Sequence, residues 1–237
     1  MTGSFAPTRW SVVVAAGGHG TADTHAALTT LCEAYWYPLY AWARRRGRAA
    51  ADAEDLTQGF FAELLEKGWV EAADPGRGRF RAFLLTAFKR HAGRMRDREA
   101  AQKRGGDRVR LSLDFDDGER RYALEPAHET TAERVYERRW ALTLLERVLD
   151  GLRREAEEAG KGGPFLALCG FLPGGTDDRS YAEVAEGLAM TEGAVKVAVH
   201  RLRARYRDRL RAEVAETVAT PDEVDAELEA LLAALRI

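Results

Sequence analysis

The chain has 237 residues, of which 46% are hydrophobic and 31% are charged, a composition typical of a soluble globular protein. No apolar run approaches the roughly 18 residues of a membrane span, and the N-terminus lacks the basic-then-apolar order of a signal peptide. Cys32 and Cys169 are isolated, which argues against a disulfide framework and against a zinc site. We therefore expect a cytoplasmic protein without a membrane segment, a metal or a cofactor.

The net charge of −2 conceals an uneven distribution of charge along the chain. Residues 77–110 carry twelve Lys or Arg against three Asp or Glu, and residues 196–211 carry seven against one. Residues 213–237 reverse the balance, with seven Asp or Glu against one Arg. Two basic segments indicate surfaces that bind the phosphates of a nucleic acid, and the last segment indicates an anionic appendage.

Residues 1–22 are predicted to be an N-terminal extension. Their short apolar run is followed by glycines, as in a nucleotide-binding loop, but no Gly-Lys-Ser or Gly-Lys-Thr follows to hold a phosphate. A short helix that ends at Gly17 and Gly18 fits the pattern better.

A first helical domain is predicted over residues 23–104. Apolar residues recur at helical spacing in residues 23–46, 52–66 and 79–98, and Pro38 is expected to bend or divide the first helix. The third helix carries more cations than a solvated face needs, and they alternate with phenylalanines. The rings belong either to the core or to a surface that stacks on unpaired bases, while the cations suit phosphates.

Residues 105–130 are predicted to be a flexible linker. Helical periodicity is lost there, and the segment contains Gly105-Gly106, Asp116-Asp117-Gly118 and Pro126. The alternation from Val109 to Phe115 suits a short strand, but a linker explains the whole segment better.

A second helical domain is predicted over residues 131–212. It contains a long helix over about 131–159, a short helix over 165–172 and two helices joined by a tight turn from Ser180 onwards. In the last helix one face is apolar, formed by Val195, Val199, Leu202, Tyr206 and Leu210. The other face is polar, formed by Glu192, Lys196, His200, Arg203 and Arg207.

Three details of this pair of helices can be predicted. Thr191 is placed to cap the second helix with its hydroxyl. Ala185 and Val195 are placed to share a core between the two helices. Ala189 occupies the turn position where glycine is usual, because the backbone there is left-handed, at a cost of roughly 1 kcal/mol. A basic helix packed in an ordinary bundle remains the alternative to a helix that reads DNA.

Residues 213–237 are predicted to be an acidic helical extension whose helix starts at Pro221. Its apolar residues lie on one face and its acids on the other. It either folds back on a basic surface and restrains activity, or simply caps a domain. The chain is thus predicted to be all-α, with two small helical domains on a flexible linker and a C-terminal extension.

Three motifs, in order, resemble a known family. Asp52-Ala-Glu-Asp-Leu-Thr-Gln-Gly-Phe-Phe resembles the region 2 signature of sigma-70 family factors of the extracytoplasmic-function (ECF) group. The stretch from Phe80 to Arg90 resembles the segment that follows it in that group, and the stretch from Tyr181 to Arg205 resembles the region 4 helix-turn-helix. The resemblance covers about residues 23–104 and 131–211. It implies a sigma factor that directs core RNA polymerase to promoters and carries out no catalysis itself.

The resemblance also implies a role for each motif. Region 2 docks on the clamp helices of the polymerase β′ subunit and recognises the −10 element; region 4 binds the −35 element and touches the β flap. For the clamp helices it nominates Asp52, Glu54, Asp55, Gln58 and Phe61. For the −10 element it nominates Arg79, Phe80, Arg81, Lys89, Arg90, Arg94 and Arg98. For the −35 element it nominates Thr191, Glu192, Lys196, His200, Arg201, Arg203 and Arg205, with base contacts from Lys196, His200 and Arg203.

The chain departs from the family pattern at all three motifs. Gly59 stands where Glu is usual, and Val197-Ala198 stands where Ser-Arg is common, so these two motifs lose polar groups. Lys89-Arg90-His91 replaces the usual arginine–asparagine pair, and Arg94 stands near the usual aspartate, so the resemblance implies no particular −10 sequence. Next to Gly59, phosphorylation of Thr57 by a Ser/Thr kinase would add about −1.5 to −2 charges to the polymerase-facing helix. The alternative is that Thr57 is an ordinary helix-surface residue. An anti-sigma factor is a further expected partner.

Other classes of protein stay open at this stage. The main alternative is a stand-alone helix-turn-helix regulator that acts without core polymerase. An RNA-binding protein that uses residues 77–110 is a second. An enzyme is the weakest, because the five histidines show no metal-ligand spacing and no nucleophile lies beside a base.

Overall fold

The computed structural model describes residues 22–66, 79–101, 114–123, 131–173, 175, 179–218 and 220–236. All regular elements within these ranges are helical, as the all-α prediction requires. The α-helices are α1 (Ala22–Arg45), α2 (Ala50–Glu66), α3 (Phe80–Ala101), α4 (Phe115–Ala123), α5 (Ala132–Glu158), α6 (Gly162–Leu168), α7 (Tyr181–Gly187), α8 (Glu192–Ala215) and α9 (Val224–Leu235). Short 3₁₀ turns span Cys169–Phe171 and Pro221–Glu223. The predicted extension before Ala22 lies outside the described residues.

The chain folds into two compact units. The first contains the described residues up to Leu142 and those from Val214 onwards, and the second is Thr143–Glu213. This division differs from the predicted domain start at residue 131, because the first part of α5 packs in the first unit. There the Trp140 indole N–H donates to the Tyr35 hydroxyl of α1 at 3.2 Å.

Aromatic side chains form the core of the first unit. Phe60 of α2 and Phe88 of α3 meet edge to face with ring centroids 5.1 Å apart, and Trp42 of α1 meets Phe88 at 5.6 Å. Each such pair contributes roughly 0.5–1.5 kcal/mol beyond the area that it buries. Pro38 is buried within α1, which continues through it as one helix, so the proline does not divide the element.

A helix occupies the middle of the predicted linker over 105–130. The described part of this segment is α4, whose first turn is capped by Asp114: its carboxylate accepts a hydrogen bond from the Asp117 backbone N–H at 2.9 Å. Phe115, which was considered as the end of a strand, is instead the first residue of α4. The rest of the predicted strand, residues 109–113, lies outside the described residues.

The helix α4 forms in the first unit because α1 supplies its partners. Phe115 is buried against Trp36, with ring centroids 5.1 Å apart. Glu119 accepts hydrogen bonds from the Tyr40 hydroxyl at 2.5 Å and from Arg44 Nη2 at 2.7 Å. Burial raises the pKa of Glu119, but the hydrogen bonds from Arg44 and Tyr40 lower it by more, so the net shift of the pKa is downwards. An irregular linker was therefore the wrong interpretation of these residues.

The second unit has its own apolar core. Its buried members come from the second part of α5, from α6, α7 and α8, and from the segment between α6 and α7: Val148, Leu152, Ala156, Phe165, Leu168, Leu172, Val184, Ala185, Val195, Val199, Leu202 and Tyr206. The predicted apolar face of α8 is confirmed, with Leu210 partly buried at its end. Ala185 and Val195 share this core as predicted, which fixes α7 against α8.

The acidic C-terminal helix α9 packs within the first unit. Val224 and Leu231 of its predicted apolar face are buried, whereas Leu232 is 51% exposed. Thr220 and Glu223 form a capping box before it, in which the Glu223 carboxylate accepts the Thr220 backbone N–H. Glu227 is buried as well, although the pattern placed the acids of this helix on the solvent side.

Candidate nucleic-acid interface

The turn between α7 and α8 is built by two local motifs. Ser180 begins α7 with a capping box, accepting the Glu183 backbone N–H at 3.2 Å while Glu183 accepts the Ser180 backbone N–H at 2.6 Å. At its end the Met190 N–H donates to the Ala185 carbonyl and the Ala189 N–H to the Glu186 carbonyl, the pairing of a Schellman motif. This pairing requires a left-handed residue after the cap.

Ala189 supplies that residue, with φ at +52°. The predicted left-handed conformation at this position is therefore confirmed. The side chain is exposed, so no packing contact of a larger group compensates for the strain. An L-residue pays roughly 1–2 kcal/mol for this conformation.

The start of α8 presents a mixed polar and apolar surface to solvent. Thr191 caps the helix as predicted, since its hydroxyl accepts the Ala194 backbone N–H at 3.2 Å. Lys196 pairs with Glu192 one turn earlier at 2.7 Å, and this carboxylate raises the pKa of the lysine. His200 and Arg201 are exposed on the next turn.

Two exposed apolar side chains border these groups. Val197 is 50% exposed and Met190 is 39% exposed, so both side chains are accessible to a partner. The sequence pattern drew attention to Val197 only as a lost polar group. A methyl-bearing side chain at this place suits contact with a thymine methyl group in a major groove.

Two arginines assigned to the −35 element bind groups of the second unit, although both remain exposed. Arg203 donates from Nε and Nη2 to the Phe171 carbonyl, at 3.0 and 2.8 Å. Arg205 pairs with Glu155 of α5 at 2.6 Å, and Arg209 pairs with the same carboxylate. Helical spacing alone placed these arginines on a polar face, but only the neighbouring elements reveal which cations are already engaged.

Two arginines assigned to the −10 element are engaged by the acidic C-terminal helix. Glu227, which is buried, lies 2.9 Å from Arg79 Nε and 2.7 Å from Arg81 Nε. Arg81 also pairs with Glu137, and its guanidinium lies 4.5 Å from the centroid of the Trp140 ring. Arg81 is itself only 8% exposed, so its assignment to DNA contact is corrected to a role inside the first unit.

Three other nominated side chains are buried and inaccessible to a partner. Phe80 is 1% exposed and packs on Tyr35, and Phe61 is 0% exposed within the core. Thr57 is also 0% exposed, and its hydroxyl donates to the Ala53 carbonyl at 2.7 Å. A kinase needs an accessible hydroxyl, so the expectation of phosphorylation at Thr57 is wrong, as is its description as a surface residue. Thr57 and Phe61 thus lie on the buried side of α2 together with Phe60.

The remaining cations of α3 lie along its exposed side. Lys89 is 41% exposed and pairs with a carboxylate of α5 at 2.7 Å; Arg90 is exposed. Arg94 is 44% exposed, and its Nη2 lies 3.2 Å from Glu63 Oε2. Nothing is described for the side chain of Arg98. The basic surface of α3 therefore begins at Lys89 rather than at Arg79.

The residues nominated for polymerase contact divide by exposure. Asp52 and Asp55 are exposed on α2, while Glu54 and Gln58 are half-buried. The Gln58 side-chain amide lies 3.4 Å from the Glu54 carboxylate, one turn away. The three carboxylates, with the Gln58 amide beside them, lie along the outer side of α2 and are called its acidic stripe. The buried Phe61 is not part of it.

The described ranges contain neither a metal-binding group nor a membrane-spanning helix. No described group of three or more His, Cys, Asp or Glu side chains is arranged to hold a metal ion. No described helix combines the length and apolar character that crossing a membrane requires.

Comparison with known families gives one match. The family model described as sigma-70 region 2 matches residues 31–102, which is less than a third of the chain. No curated protein and no solved structure matches the chain. The matched segment includes α2, α3 and most of α1, the helices that carry the acidic stripe and the basic surface. The match shows that this segment is similar to region 2 of sigma-70 factors, in agreement with the resemblance of the motifs that it contains.

Proposed function

We propose that this protein is an alternative sigma factor of the ECF group, which binds core RNA polymerase in the cytoplasm and directs it to promoters. The observation that carries the proposal is the region 2 match over residues 31–102. The helix-turn-helix geometry of α7 and α8 supports it, because a second DNA contact is what a sigma factor of this group needs. The polymerase would supply the chemistry.

For the −35 element, we assign the exposed start of α8. Lys196, His200 and Arg201 face solvent there, and Val197 adds a methyl-bearing contact. Thr191 and the helix N-terminus suit a phosphate. Arg203 and Arg205 are exposed as well, but each already binds a group of the second unit, as Lys196 does with Glu192, so we keep them as additional contacts. Base contacts of this kind are worth about 1–3 kcal/mol each.

For the −10 element and its melted strand, we assign the exposed cations of α3. Lys89, Arg90 and Arg94 supply positive charge along one helix, which suits the phosphates of a DNA strand. For the β′ clamp helices, we assign the acidic stripe of α2, in which Asp52 and Asp55 are the most accessible carboxylates. The β flap and an anti-sigma factor stay as further proposed partners.

One experiment tests the central proposal. The purified full chain is added to core polymerase with a genomic promoter library, and transcript start sites are mapped. We expect start sites that share −35 and −10 sequences, and we expect H200A/R201A to weaken them. R153A/R154A is the matched control, because it removes two exposed arginines of α5. A chain that binds an operator without core polymerase would instead support the stand-alone regulator.

We also propose that α9 restrains promoter binding. The support is that Glu227 holds Arg79, which retains 33% exposure of its side chain and borders the basic surface of α3. In E227Q the arginine loses its anionic partner and becomes available to DNA. We expect E227Q to bind promoter DNA more tightly in the presence of polymerase, with E229Q, at an exposed position of the same helix, as the control. Lower thermal stability of E227Q without tighter binding would leave α9 with a structural role only.

A further inference from the structure

The first unit contains a cationic cavity that the proposed function does not use as a whole. Its volume is about 530 Å³, within the range of sites for small molecules. Its lining comes from the end of α1, the middle of α3 and the start of α5. The lining residues are Trp42, Arg46, Gly47, Arg48, Lys89, Ala92, Arg96 and Glu133.

The backbone at the end of α1 brings two of the cations to the cavity. The Arg48 N–H donates to the Ala43 carbonyl and the Gly47 N–H to the Arg44 carbonyl, so α1 ends in a Schellman motif. Gly47 takes the left-handed position with φ at +86°. Arg46 and Arg48 stand on either side of this turn, and both line the cavity.

One wall of the cavity is held by hydrogen bonds. Glu133 accepts from the Trp42 indole N–H at 3.3 Å and pairs with Lys89 at 2.7 Å. The hydrogen bond from Lys89 is the main reason why the pKa of Glu133 is lowered, so this carboxylate stays ionised at neutral pH. The Arg46 guanidinium lies 5.7 Å from the centroid of the same indole ring. Glu133 thereby neutralises one of the four lining cations.

Two of the lining arginines differ from Lys89 in having no acidic partner among the described residues. Arg46 and Arg96 are both exposed, and neither forms an ion pair with a carboxylate of the described residues. The negative end of the α1 helix dipole stabilises cations nearby, which explains the presence of Arg46 and Arg48 after this helix. It does not account for Arg96, which comes from α3 and lines the same space. Converging cations without carboxylate partners, in a concave site, are the arrangement that binds phosphate groups.

We propose that this cavity binds the phosphate groups of a nucleotide-sized ligand. Arg46 and Arg96 supply guanidinium donors, with Arg48 beside them, and the ordered pair of Lys89 and Glu133 forms the wall. The ligand is a free nucleotide that bears more than one phosphate, because Arg46 and Arg96 line one concave site and can bind adjacent phosphates together. The inference goes beyond the proposed function, which assigns only Lys89 of this lining to a DNA strand.

The test measures binding of three probes to the full-length protein by calorimetry at low salt. The probes are inorganic pyrophosphate, guanosine triphosphate and a short single-stranded DNA. We expect guanosine triphosphate to bind, and we expect R46Q/R96Q to lose at least tenfold in affinity for it. The control R120Q/R153Q removes two exposed arginines that do not line the cavity and should retain affinity. Circular dichroism melting confirms that both variants are folded.

The probes also separate a free nucleotide from a DNA strand. Binding of the triphosphate or of pyrophosphate supports the proposal, provided that the cavity variant loses affinity and the control variant does not. Binding of the oligonucleotide alone would overturn the proposal and assign these cations to the DNA strand of the proposed function. Equal affinities of the two variants, or no binding of any probe, would overturn it.

Discussion

Replacement of Ala189 by glycine is expected to stabilise the second unit. Ala189 has φ at +52° in the Schellman motif between α7 and α8, where an L-residue pays roughly 1–2 kcal/mol. Glycine removes this strain, but it also makes the unfolded chain more flexible, at a cost of about 0.4–1 kcal/mol. The balance is a gain of about 0.5–1 kcal/mol for A189G. No packing contact is lost, because the alanine side chain is exposed.

The same substitution at Ala182 is the matched control. Ala182 is also exposed, but it lies inside α7 with ordinary helical backbone. There glycine has only its entropic cost, so A182G should destabilise by about 0.5–1 kcal/mol. Urea unfolding followed by circular dichroism at 222 nm gives both free energies, and the two changes should have opposite signs. If A189G destabilised the protein as much as A182G, the attribution of strain to this turn would be refuted.

Two further predictions concern the first unit. A Cβ at Gly118 of α4 would lie 3.0 Å from two ring atoms of Trp36, so G118A should destabilise the protein by about 1–3 kcal/mol. G93A is the control: no atom lies within 4 Å of its Cβ, so it should stabilise the protein by up to about 1 kcal/mol. Urea unfolding measures both changes, and equal effects would contradict the packing of α4 on α1. Burial raises the pKa of the Cys32 thiol to about 12, so a thiol reagent at pH 8 should label Cys169 before Cys32 in the native protein. Equal labelling rates of the two cysteines would show that Cys32 is not enclosed.

Local patterns predicted the helices, because a helix is specified by spacing and by capping residues a few positions apart. The apolar face of α8, the cap at Thr191 and the left-handed turn at Ala189 are all local features, and the structure confirms each. The signature beginning at Asp52 is also local, and the region 2 match over residues 31–102 supports the family that it suggested.

Assigning roles to side chains was less reliable, because periodicity cannot tell which partner covers a face. Phe61 and Thr57 looked accessible beside acidic residues, yet both are fully buried. The signal was present in part: Thr57 lies three residues before Phe60 and four before Phe61, the spacing that places residues on one side of a helix. The helix α4 was missed for a related reason. Its capping residue Asp114 was readable, but its stability depends on partners in α1 about 80 residues earlier.

What the sequence determined by itself was the all-helical class, the order of the motifs and the two helices joined by a tight turn at Ala189, since these follow from interactions between neighbours in the chain. What only the tertiary structure decided was which charges remain available. Arg81 looks like a solvent-facing cation in the sequence, but Glu227 pairs with it inside the first unit. Arg203 stays exposed, yet its guanidinium donates to the Phe171 carbonyl. An ion pair between residues nearly 150 positions apart leaves no periodic trace, because chain folding alone brings its partners together.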